Sequence, residues 1–202
     1  MAMTVTTETQ QAIESRAKRL KDRTRTTHER LDNSIMAASS FSSVEGYARF
    51  VQVQYQFHRD IDALYDDSRL QALLPDLIAR RRLSLIAADL SDVGADPSGP
   101  SDPPVFTAGA IDVPTALGWL YVAEGSNLGA ALLRKEAAKL GLSDDFGARH
   151  LAPAPEGPAA HWRAFTAALD GLVLTSEQDD RVVAGAEEAF RRVQHYCDAQ
   201  LS

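Results

Sequence analysis

His28 and Lys21 stand seven residues apart in a segment of helical periodicity, so both side chains leave roughly the same face. At 1.5 Å of rise per residue they are two turns, or about 10 Å, apart. A neutral histidine nitrogen can ligate a transition metal, and an ammonium two turns away can meet a carboxylate. The pair suits a flat group with a central metal and peripheral carboxylates, a description that haem fits. A lone histidine on or beside an apolar face is more often a core residue held by hydrogen bonds, so this reading needs support from other residues.

Two further sets provide it. Tyr121, Gly125 and Gly129 recur at i, i+4 and i+8 and line one helical face in and around "EGSNLGAALLRKEAAKL", Glu124 to Leu140. Each interior glycine costs a helix roughly 1 kcal/mol relative to alanine, but a face without Cβ atoms lets backbone approach something bulky and flat. The alternative is a close helix–helix contact through small residues. Its membrane-dimer form fails because Glu124, Arg134 and Lys135 surround the glycines. The last set is Gln54 and His58, one helical turn apart. Gln54 interrupts the apolar stripe of Tyr47, Phe50, Phe57, Ile61 and Leu64. Such a pair is either a structural hydrogen bond or the lining of a wet pocket. Taken together, the three sets admit a haem sandwich, with histidine on the iron from one side and glycine backbone over the other.

The elements that must position these residues are helices. Hydrophobic periodicity predicts them at about 10–37, 43–67, 75–93, 113–141, 158–172 and 176–200, with Thr175 or Ser176 capping the last. No alternating run bounded by turn residues reads as a strand. "GADPSGPSDPP", Gly94 to Pro104, must be a loop, and "LAPAPEGP" separates the glycine-bearing helix from the last two. The fold class is all-α. A flexible N-terminus, 1–9, is expected to precede a single domain spanning 10–202.

Composition narrows the function classes. The 202 residues are 45% hydrophobic and 24% charged, ordinary for a globular domain. The single cysteine, Cys197, excludes an internal disulfide and lacks the spacing of a zinc site or covalent haem attachment. With no signal sequence and no long apolar run, the chain reads as a soluble cytoplasmic monomer. A net charge of −7 argues against nucleic acid or an anionic membrane as partner. Against that balance runs a basic stretch, Arg16, Lys18, Arg19, Lys21, Arg23 and Arg25, opposed only by Asp22. It is either a solvated helix face or a landing site for a small anion or an acidic protein.

"THERLD", "QYQFHRDIDALY", "LGWLYVAEGSNLGAALL", "FGARHLAP" and "HWRAF" occur in an order and spacing that resemble the bacterial haem oxygenases over about 15–200. The resemblance implies an all-α fold with haem between a proximal and a distal helix. It also implies oxidative opening of haem to biliverdin with release of carbon monoxide and iron. By the same resemblance, His28 is the proximal iron ligand, Lys21 and Tyr121 hold a propionate, and Gly125 and Gly129 belong to the distal helix. Gln54 and His58 would hold the distal water network, and Phe190 would pack near the haem. Ser126 replaces an aspartate of mammalian members, and Thr166 falls near their propionate-binding arginine. Relatives that release other bilin isomers carry asparagine at the Lys21 position and a lysine where this chain has Met36, so attack at the α-meso carbon is expected.

Haem b is then both cofactor and substrate, with O2 as oxidant. Electrons must come from an external ferredoxin or flavoprotein reductase, because the chain lacks a strand followed by GxGxxG. Glu29 is the candidate acceptor for the second nitrogen of His28. The alternatives are a non-catalytic haem-binding or haem-trafficking protein of this fold and, more remotely, a helical enzyme acting on a thiamine or quinone precursor.

Overall fold

The structure is a computed structural model that describes residues 15–97 and 103–201. The N-terminal segment 1–9, the predicted start of the first helix at 10–14 and part of the Gly94–Pro104 loop lie outside the described residues. Among the described residues every regular element is helical and none is a strand, as the periodicity predicts.

The reading of the first helix from about residue 10 needs correction: helix α1, Arg16–Ala37, starts at Arg16, because Ser15 takes non-helical backbone and its Oγ accepts from the Lys18 N–H. It buries only Leu20, Thr24 and Leu31, a narrow stripe that leaves most of its surface, His28 included, outside the core. Helix α2, Val44–Ile61, is capped by Ser43 and buried over most of its circumference. The reading of 43–67 as one helix needs correction. The α-helix stops at Ile61 and tightens into a 3₁₀ turn, Asp62–Asp66. Asp67 then takes extended backbone, and its carboxylate accepts from the Arg69 and Leu70 N–H groups to start a short α3, Ser68–Leu73.

The reading of 75–93 as one helix is also corrected. A 3₁₀ turn, Leu77–Arg80, precedes α4, Leu83–Asp92, with Arg81 extended between them. Residues two apart on a helix point to opposite sides. The break lets Arg80 and Arg82 both turn inward, Arg80 to Glu124 and Arg82 to the His150 carbonyl.

Helix α5, Val113–Lys139, is capped by Asp112 and has two unlike halves. Almost every residue from Ala116 to Glu124 is buried; beyond Gly125 only Ala130 and Ala137 are. Helix α6, Pro158–Gly171, and helix α7, Ser176–Gln200, complete the chain. The expected cap of α7 is present as a reciprocal box, with Thr175 and Gln178 each satisfying the other's backbone N–H. No helix among the described residues is long and apolar enough to cross a membrane.

The centre of the fold is the crossing of α5 and α7, around the fully buried Trp119, Phe165 and Val182. Gly118 and Gly185 make it possible. A Cβ on Gly118 would lie 2.1 Å from the Val182 carbonyl oxygen, and one on Gly185 2.3 Å from that of Thr115. The small-residue helix contact weighed for Gly125 and Gly129 is therefore made by this other pair. Gly118→Ala should lower stability by about 3 kcal/mol, the upper range for overpacking a core. Gly129→Ala, whose Cβ meets nothing within 4 Å, should leave the melting temperature unchanged or raised. Thermal circular dichroism of the two variants checks the contrast.

Candidate active site

His28 projects from the exposed side of α1, with 58% of its side chain accessible. Its Nδ1 lies 3.1 Å from Asp32 Oδ2, one turn along the helix, and its ring meets Phe190 of α7 edge-on at 5.7 Å between centroids. These two contacts orient the ring and leave Nε2 with no partner among the described residues. Asp32, not Glu29, is thus the carboxylate beside the ring: position i+4 shares the histidine's face and position i+1 does not. A neutral imidazole that donates from Nδ1 presents the Nε2 lone pair for a metal.

Helix α5 presents the complementary face. Gly129 has open space where a side chain would be, and a Cβ on Gly125 would touch only the Trp162 ring, at 3.6 Å. Among the described residues nothing covers Gly129, and only the Trp162 ring of α6 approaches Gly125. Leu128 and Leu132, exposed and apolar, flank them on adjacent positions of the same face. Tyr121 stands one turn earlier at the edge of the core, tilted against Trp162. Burial, with Asp22 of α1 nearby, pushes its phenol up to about 12, so it remains a hydrogen-bond donor. Lys21, next to Asp22 in sequence, is exposed and makes no ion pair among the described residues. The Ser126 hydroxyl donates to the Ala123 carbonyl at 2.7 Å, a bond within its own helix. Its proton is already committed.

His58, Tyr65, Arg82 and His150 form a cluster of buried polar side chains, of which the sequence reading found His58. Gln54 is half-buried on α2 and His58 is buried one turn on. Burial first, then the neighbouring Arg82 and His150, lowers the His58 pKa to about 3, so its imidazole is neutral. His58 Nδ1, Tyr65 Oη, Arg82 Nε and His150 Nε2 are all buried without a protein partner. His150 Nδ1 is held 2.7 Å from Asp89 Oδ2, and the Arg149 and His150 N–H groups donate to the same carboxylate. Burial opposes the Asp89 charge, but these bonds hold its carboxyl below the usual range. Unpartnered buried polar atoms of this kind are the partners that ordered water takes.

A third group sits where the buried half of α5 ends. Glu124 and Arg80 form an ion pair at 2.5 Å with both side chains almost wholly buried. His161 of α6 places Nε2 3.3 Å from the same Glu124 oxygen and Nδ1 2.6 Å from Glu156. Sequence reasoning passed over Arg80, Arg82, Glu124, His150 and His161. The available signal was charge inside otherwise apolar patterns, above all a glutamate directly before the first helix glycine.

The basic run on α1 is largely neutralised across the groove to α7. Arg16 pairs with Asp179, Arg19 with Asp180 and Arg23 with Glu187, and Arg25 pairs with Asp22 on its own helix. The solvated-face reading fits it better than a landing site does.

The fold is shared with haem oxygenases of distant sequence. The enzyme of Leptospira interrogans superposes with a TM-score of 0.70 at 16% identity, over 92% of this chain and 99% of that one. Haem oxygenase 2 of Chlamydomonas reinhardtii gives 0.73 at 18%, over 94% and 99%. Closer likeness extends to sequence. The NO- and CO-bound haem oxygenase of Neisseria meningitidis matches at 39% identity and a TM-score of 0.86, covering 93% of this chain and 92% of that one. Heme oxygenase PigA of Pseudomonas aeruginosa is 42% identical over 177 residues, 88% of each chain. The family model described as Heme oxygenase matches residues 14–91 and 107–198. The chain belongs to the haem oxygenase family.

Proposed function

We propose that this chain binds haem b between α1 and the exposed half of α5 and opens it to biliverdin IXα, carbon monoxide and ferrous iron in the cytoplasm. The observation that carries the reading is His28. It is an exposed imidazole whose Nδ1 faces Asp32 and whose Nε2 has no partner among the described residues, on a helix that shares α7 as support with the helix bearing Gly125 and Gly129. A core histidine would be buried, as His58 and His150 are; a solvated one would not be held between a carboxylate and a phenyl edge.

Haem, as both substrate and cofactor, supplies the iron that activates O2, using electrons from an external ferredoxin or flavoprotein reductase. His28 Nε2 would ligate the iron from the α1 side, with Phe190 keeping the ring from rotating. Histidine gives no thiolate push toward rapid O–O cleavage. Gly125 and Gly129 would keep side chains off the opposite face, while Leu128 and Leu132 would cover apolar ring edge. Gln54, His58, Tyr65, Arg82 and His150 would hold ordered water. Neutral imidazoles at His58 and His150 can each accept a proton on one nitrogen and release one from the other. Ser126 lies beside this region, but its hydroxyl can contribute only as an acceptor while it donates to Ala123.

Turnover separates this reading from a haem-trafficking protein of the same fold. The aerobic haem complex supplied with ascorbate or a reductase should lose its Soret band and yield biliverdin. A stable oxy complex that never degrades would instead mark a carrier.

The choice of haem carbon should rest on Lys21 and Tyr121. Haem is nearly symmetric apart from its vinyls and propionates, so a pocket selects a meso position by anchoring the propionate edge. Lys21 has no competing ion pair among the described residues, and Met36, with 73% of its surface exposed, offers no alternative charge at the end of α1. Wild-type product should be mainly the α isomer, and Lys21→Ala should release a mixture. Chromatography of the bilins decides it: mostly β or δ isomer from wild type would overturn the seating.

A further inference from the structure

The unlike halves of α5 need a joint, and the side chains at that joint can titrate. Glu124 is the last buried residue before Gly125, and beyond it the helix buries only Ala130 and Ala137. Its rear face there does not pack closely. A small cavity remains between Asn127, Ala130 and Arg134 of α5 and the 151–161 segment, with Arg82 and His161 on its wall. The tie across this gap is the Glu124 carboxylate, shared between Arg80 at 2.5 Å and His161 Nε2 at 3.3 Å, with Glu156 on the other ring nitrogen. Both ring nitrogens face carboxylates, so only the doubly protonated imidazolium satisfies both at once.

We propose that His161 is a positioning residue: its imidazolium latches the joint of α5 to α6, and its deprotonation loosens the distal wall of the haem cleft. The inference rests on haem lying between α1 and α5.

The groups facing His161 are Glu124 from α5, Arg80 from the 3₁₀ turn, Glu156 from the preceding loop, and Arg82 and Arg134 around the cavity. The Glu124 bond raises its pKa most, burial opposes it, the Glu156 bond adds to it and the Arg80 charge subtracts. The net shift is upward. The latch is therefore complete below the ordinary histidine value and is lost as pH rises through the higher folded value. Trp162, the next residue in α6, rests on Gly125 and lies at the moving part.

The test combines three readouts. In the haem-free protein, the His161 ring is titrated by nitrogen-15 NMR while Trp162 emission is followed with Trp119 replaced by phenylalanine. In the haem complex, release of haem to excess apomyoglobin is timed from pH 6 to 9. Wild type should release haem about fivefold faster above the transition than below it, roughly 1 kcal/mol. Glu156→Gln, a change at a half-exposed loop residue, should move the midpoints of all three curves to lower pH and keep both plateaus. His161→Gln should release haem at the fast rate throughout. Release that is flat in wild type, or whose midpoint ignores Glu156→Gln while the NMR midpoint moves, overturns the latch. Failure of haem to bind through His28 would instead overturn the functional reading, and the haem-free titrations would still report on the joint.

Discussion

Replacing His28 with alanine should abolish haem turnover and leave the fold intact. More than half of the side chain is solvent-exposed, and its contacts are one acceptor and one ring edge. Exposed substitutions away from buried features usually change stability by no more than about 0.5 kcal/mol, so melting temperature and helicity should match wild type. Haem can still enter an apolar cleft lined by Leu128 and Leu132, but the iron loses its protein nitrogen. Biliverdin formation should drop about 100-fold or more, beyond the 10–100-fold seen when only an outer-shell partner of a metal ligand is removed. Added imidazole should restore much of it, since the cavity left by the ring lies beside Phe190 and Asp32 and opens to solvent. Normal spectra and turnover from this variant would remove His28 from the iron. His58 would be a poor replacement, because it is buried beside Arg82 and His150.

How much of this was legible in the sequence follows from where the causes lie. The long helices could be read because their causes are local: a continuous apolar stripe behind each and, for α7, the cap at Thr175; the Ser15 cap escapes that reading, which begins the first helix too early. The break between Arg80 and Arg82 could not, because its reward is distant in sequence. Arg80 reaches Glu124, 44 residues on, and Arg82 reaches the His150 carbonyl, 68 residues on. Periodicity saw only charges inside a helix-like stretch.

The site divides the same way. His28, Lys21, Tyr121 and the glycines announced themselves through spacing on single helices. Asp32 was equally accessible through the i+4 rule and was passed over for the adjacent Glu29. The buried polar cluster draws on α2, the Asp62–Asp66 turn, Arg82, α4 and the 149–151 turn, and only His58 and Gln54 broke a local pattern. The others became visible when the fold brought Asp89, His150 and Arg82 together. The two helix glycines show the opposite case. Sequence could pose the choice between helix contact and open face, but only the Cβ environments resolve it. Gly118 and Gly185 meet backbone at 2.1 and 2.3 Å, whereas Gly129 meets nothing.

That contrast sets up the second large effect. Gly125→Leu should destroy turnover while the protein melts no lower than wild type. The backbone is helical, so leucine recovers most of the roughly 1 kcal/mol that glycine sacrifices in helix propensity. Its Cβ would stand 3.6 Å from the Trp162 ring, an ordinary contact that requires no rearrangement. Beyond Cβ, the branched end has two directions available. Toward α6 it meets the Trp162 ring, which is stacked on Phe165 and tilted against Tyr121 and so cannot easily retreat. It must therefore turn into the open face shared with Gly129, where haem and O2 would lie. Gly125→Ala, which adds only the tolerated Cβ, should keep most of its activity, so the series separates volume from propensity. Biliverdin yield in a single turnover and thermal melting, measured on both variants, give the answer. A leucine variant that turns over normally but melts well below wild type would reassign Gly125 to packing against Trp162. A loss of turnover at unchanged stability, graded from alanine to leucine, is the result expected of a glycine kept for the space above it.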